Sequence, residues 1–66
     1  MYIAGKTEYG DTVFWGHGRW HDSIADAESF GTMSGYFKIG MLESEYIDSP
    51  EQYNYRGVRI VSIREW

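Results

Sequence analysis

The chain has 66 residues, no cysteine and a formal net charge of −4, and 18% of its residues are aromatic. That length makes a single domain, residues 1–66, which buries only about 60% of the surface its unfolded form exposes. The missing cysteines exclude disulfides and thiolate zinc as staples. The negative balance argues against general affinity for phosphate backbones, and no apolar run is long enough to cross a bilayer.

Residues 1–4 read as a first strand stopped by Gly5, and the polar run 6–11, with its Gly10-Asp11, reads as a hairpin loop. Thr12-Val13-Phe14-Trp15 is β-branched and aromatic and predicts a second, antiparallel strand. Gly16-His17-Gly18 predicts a tight reversal with both glycines at positive φ, and Arg19-Trp20-His21 a brief third strand.

Residues 18–32 form the corner between sheet and helix. Trp20, Ile24, Ala27 and Phe30 fall at helical spacing, and Asp22 and Thr32 read as successive N-caps. From Thr32 to about Glu45 runs the one substantial helix, with Met33, Tyr36, Phe37, Gly40 and Met41 on one face and Ile39, Leu42 and Tyr46 roughly opposite. Ser49-Pro50-Glu51-Gln52 predicts a single helical turn, and 58–64 a last strand. The expected fold class is α+β: a small antiparallel sheet of three to four strands in ββ(β)αβ order, with one main helix packed on one face.

Apolar residues on both sides of several elements do not fit one helix covering one face of the sheet. Val58 and Ile60 oppose Val61 and Ile63, Phe14 opposes Val13 and Trp15, and the helix carries two apolar stripes. A bulge in the last strand, or residues 48–55 folding over Leu42 and Tyr46, would absorb the excess. The other reading is a second apolar surface that meets a partner or another copy of the chain.

Motifs for chemistry are absent. His17 and His21, with Asp22 and Asp26 nearby, have metal-ligand character, but the i,i+4 spacing needs a helix where Gly16 and Gly18 dictate a turn, so no metal is expected. No glycine pattern matches a phosphate or dinucleotide loop, so no cofactor is expected either. A general acid needs an apolar pocket to raise its pKa, and so short a chain leaves little room for one of ~300 Å³. A non-enzymatic protein is expected.

Two acidic clusters remain, Asp22, Asp26 and Glu28, then Glu43, Glu45, Asp48 and Glu51. Acids held on a rigid domain can imitate a nucleic-acid backbone and occupy a partner's basic groove. Arg56, Arg59 and Arg64, interleaved with Tyr53, Tyr55 and Trp66, are the basic counterpart, able to stack on bases.

An opening Tyr2-Ile3 strand, an aromatic strand, Gly18-Arg19-Trp20, the corner Asp22-Ser23-Ile24-Ala25-Asp26-Ala27-Glu28-Ser29-Phe30, a Thr-capped helix and a closing Val58-Arg59-Ile60-Val61 strand resemble small phage and prophage accessory proteins. Relatives of that type keep an alanine-rich helix, which Gly35 and Gly40 replace here. The resemblance implies a binder in the cytoplasm of a bacterial host that blocks a host enzyme or defence complex. The expected contacts are Tyr36, Glu43, Glu45, Tyr46, Asp48, Glu51, Tyr53, Tyr55 and Trp66, with a host protein or a second copy as partner. The alternatives are a small nucleic-acid-binding regulator using Arg56, Arg59 and Arg64, or a self-assembling structural protein.

Overall fold

The computed structural model describes residues 1–49 and 55–66. Four strands, β1 (Ile3–Thr7), β2 (Thr12–Gly16), β3 (Arg19–His21) and β4 (Ile60–Glu65), form one antiparallel sheet in the order β3-β2-β1-β4. The helix α1 (Thr32–Tyr46) packs on one face, so the α+β architecture and the ββ(β)αβ order expected from the sequence hold.

β1 runs straight through Gly5 instead of stopping there. On this central strand Ile3, Gly5 and Thr7 alternate onto the helix side, and the Trp20 ring crosses above Gly5. A Cβ at Gly5 would lie 3.0 Å from Trp20 Cη2 and 3.3 Å from Ile60 Cγ2, so the glycine leaves space for an indole and does not mark a turn. Gly16 likewise belongs to β2 rather than to the reversal. A side chain there would press on the backbone of Asp26 and Glu28, where the corner crosses the strand. The reversal is carried by His17 and Gly18, at φ 51° and 85°.

The corner caps differently from the expectation. Its regular part is one 3₁₀ turn, Ile24–Asp26, capped by Ser23, whose Oγ accepts the Ala25 N–H at 3.1 Å. Asp22 is left outside it. Ile24 is exposed and Trp20 belongs to β3, so the four apolar residues do not share a helical stripe. The corner is instead tied to the sheet by backbone bonds, Glu28 N–H to Trp15 O at 3.0 Å and Phe30 N–H to Met1 O at 2.8 Å. At the second expected cap, Gly31 is the N-cap of α1 with no side-chain bond, and Thr32 is the first helical residue.

Along β4 a bulge, one of the alternatives the sequence left open, is present. Thr7 pairs with Ile60 while Lys6 pairs with Ser62, so Val61 is the extra residue. Ile60 and Ile63 therefore both turn into the core, three apart, and Val61 is exposed. The strand starts at Ile60, because Val58 pairs back with Tyr55 across an Arg56-Gly57 turn. On the sheet face away from the helix, Phe14 is buried beneath Trp66, ring centroids 5.3 Å apart and edge to face. The helical turn read at 49–52, and most of the segment read as folding over Leu42, lie outside the described residues.

The helix-side core comprises Ile3, Val13, Trp15, Trp20, Leu42, Ile60 and Ile63, with Ile39, Tyr46 and Tyr55 packed against it. Trp20 is 5% exposed, and Trp20→Ala should cost about 3–5 kcal/mol in urea denaturation. Among the described residues a Cβ at Gly40 meets nothing within 4 Å, so Gly40→Ala should stabilise the single copy, at low protein concentration, by about 0.5–1 kcal/mol through helix propensity.

Candidate functional site: the outer face of the helix

Gly35, Ile39, Leu42 and Tyr46 make the inward stripe of α1. Gly35 lies under the Met1 side chain, Leu42 is 1% exposed, and Tyr46 stands edge to face with Trp15 and Trp20 at centroid distances of 6.0 and 5.6 Å. Lys38 reaches over the Trp15 ring at 5.9 Å. These contacts set the rotation of the helix, and it is opposite to the one that puts the methionines inside.

The stripe with the larger side chains is thus in water. Met33 is 87% exposed, Phe37 72%, Tyr36 52% and Met41 42%. Met33, Phe37 and Met41 follow at i, i+4, i+8 and form one ridge, with exposed Gly40 leaving a flat place beside it. Tyr36 at the ridge's flank donates its hydroxyl to Glu65 Oε1 at 2.9 Å, tying α1 to β4, and this bond pushes its phenol pKa up. Contiguous apolar surface of a few hundred Å² left in water is the kind of patch on which proteins and ligands dock.

Charge on this helix runs against its dipole. The first turn holds no acid and the last turn no base, while Glu43 and Glu45 sit near the C-terminal end and Asp48 just beyond it. Glu43 and Asp48 are exposed and Glu45 is half-buried.

The other expected contact residues scatter. Tyr46 belongs to the aromatic core, Trp66 covers Phe14 on the far face, and Tyr55 is half-buried with its hydroxyl 2.5 Å from Asp22 Oδ1. Glu51 and Tyr53 lie outside the described residues. Tyr36, Glu43, Glu45 and Asp48 do share α1 and its end. Met33, Phe37 and Met41 are not among the expected contacts, because the two apolar stripes of the helix cannot be ranked from the sequence's periodicity. Gly35 was the available signal, since a bare position on the Leu42 stripe permits close approach to the sheet.

The basic residues do not form one array. Arg56, held at φ 50°, pairs its guanidinium with Asp22 at 3.2 Å and lies over the Tyr55 ring at 5.2 Å. Arg64 stands opposite Ala4 on β4, and the Arg59 carbonyl accepts the Glu8 N–H. Between the 55–56 tip and the corner lies an open cleft of about 420 Å³, lined by Arg19, Trp20, His21, Asp22, Tyr46 and Arg56 among others. A space of this size corrects the expectation that the chain is too short for one.

The chemistry of the cleft does not point to acid–base work. The Tyr55 hydroxyl and Arg56 hold the Asp22 carboxyl below its usual range, the reverse of what a general acid needs. His21 Nε2 is bonded to the Gly16 carbonyl at 2.9 Å, and His17 sits exposed in the turn. Among the described residues no three His, Asp or Glu side chains are placed to hold a metal, and no helix is long and apolar enough to cross a membrane. No family model, curated protein or solved structure matches the chain.

The Asp22 tether makes a pH-dependent prediction. A carboxyl whose pKa is depressed on folding contributes stability above its unfolded pKa and loses it as pH falls through the folded value. Burial first, and then the bond to Asp22, push the Tyr55 phenol up. In a tyrosine-resolved NMR titration Tyr55 should therefore ionise above the ordinary phenol range, and Asp22→Asn should move it part of the way back down. An unmoved Tyr55 would mean the tether does not form.

Proposed function

We propose that the protein is a non-enzymatic binding module that docks on another protein through the outer face of α1. The observation behind this reading is the outward placement of Met33, Phe37 and Met41 in a chain that has little apolar surface to spare. Aromatic and methionine side chains are enriched where proteins meet, and a ridge repeating at four residues suits a groove or a second helix.

The resemblance to phage accessory proteins extends the proposal to a target, a host complex that acts on nucleic acid and is inhibited by occupation of its surface. Glu43, Glu45 and Asp48 extend the ridge with negative charge at one end, the sign that matches a nucleic-acid-binding groove. The regulator alternative draws less support. Arg56 is engaged by Asp22, and the three arginines lie in separate settings.

Affinity capture from bacterial lysate with wild-type protein and a Phe37→Glu variant tests the proposal. The wild type should retain a specific protein that the variant loses by roughly tenfold or more, since a charge placed in an apolar contact must be desolvated. Glu43→Lys with Glu45→Lys should weaken the same complex most at low salt, where exposed charges are least screened. Equal capture by wild type and the Phe37 variant would contradict the proposal.

A further inference from the structure

We infer that in the isolated protein the outer face of α1 is covered by a second copy of this chain, the two helices packed antiparallel. This rests on the reading of that face as a contact surface, and names what covers it while no other protein is bound.

Area is the first argument. At roughly 200 Å² for a large side chain, the exposures of Met33, Tyr36, Phe37 and Met41 leave about 500 Å² of mainly apolar surface in water. Two such faces together reach about 1,000 Å², the lower bound for a specific interface, so one copy supplies the matching surface another needs.

Shape is the second. Gly40 has an open site where a side chain would stand, one helical turn from Phe37 on the same face. A two-fold axis crossing the helices near residues 38–40 brings each Phe37 toward the partner's Gly40 and lets the ridge of one helix fill the flat place of the other. The pairing is self-complementary, as a two-fold contact requires.

Charge sets the direction. Each helix begins with a turn that has no acid and no side-chain cap, so its first N–H groups leave a partial positive charge. Each carries Glu43 and Glu45 near its other end. Antiparallel packing lays these acids beside the partner's N-terminal turn, and opposes the two dipoles. Parallel packing would set Glu43 and Glu45 against their own copies. The charge pattern that weakens a lone helix thus becomes complementary in the pair.

Sedimentation equilibrium over micromolar to millimolar concentration, with a crosslinking test of direction, decides the matter. The wild type should dimerise, and Phe37→Glu should raise the dissociation constant by roughly tenfold or more while its circular dichroism stays native. The chain has no cysteine, so Ser34→Cys and Ser44→Cys, both at exposed positions on α1, give clean probes. Mixed under oxidising conditions, the two variants should form the 34–44 disulfide across chains in preference to 34–34 and 44–44. A wild type that stays monomeric at millimolar concentration, a dimer indifferent to Phe37→Glu, or a preference for 34–34 and 44–44 would each overturn the inference. If the protein is monomeric and Phe37→Glu still abolishes capture of another protein, the inference alone fails. If Phe37→Glu alters neither association nor capture, the proposed contact surface fails with it.

Discussion

The Trp20 indole lying across Gly5 is the contact on which the rest of the molecule depends. β3 has only three residues, all paired with β2, and its ring at Trp20 spans from the sheet's edge to β1. Trp15 stands edge to face against it at 5.2 Å, and Tyr46 at 5.6 Å closes the cluster from the helix. Three large rings supply the buried area that a 66-residue chain cannot gather from aliphatic residues alone. Among the described residues the Trp20 Nε1–H is buried with no hydrogen-bond partner, and an indole donor left unmet costs about 1–3 kcal/mol.

Because Tyr46 enters that cluster, the rotation of α1 follows. One stripe of the helix closes on the sheet at Gly35 and Leu42, and on the opposite stripe Met33 and Phe37 are left to solvent. A helix apolar on both sides gains only half of its burial inside its own domain. The proposed contact therefore uses the stripe that the helix does not bury in its own domain, with Glu43 and Glu45 near its C-terminal end. The cleft on the other side of the Trp20 cluster is more polar and is braced by Asp22, Tyr55 and Arg56.

Much of the fold was legible from local chemistry. The β-branched and aromatic run at 12–15, the reversal read at 16–18 and the helix from Thr32 all lie within a residue or so of the observed elements. What misled was reading glycine as punctuation. Gly5 and Gly16 sit inside strands because other groups cross above them, information that exists only once the chain is folded. The bulge at Val61 was legible as an option, since Ile60 and Ile63 cannot both be buried in an unbroken strand. The helix's rotation was not, because both its stripes are apolar and periodicity cannot rank them. Of the acids named as contacts, Glu43 and Asp48 are exposed on and beyond the helix. Aromatic identity was a poor guide: Tyr46 packs in the core and Tyr55 braces the cleft, since a large ring serves burial as readily as recognition.

The orientation of α1 is the central claim, and hydroxyl-radical footprinting read by mass spectrometry tests it most directly. At a protein concentration low enough to keep single copies apart, Met33 and Phe37 should label at close to the rates of an unfolded chain, while Leu42 and Trp20 are strongly protected. Protection of Phe37 together with rapid labelling of Leu42 would mean the helix is turned the other way, and would contradict the account.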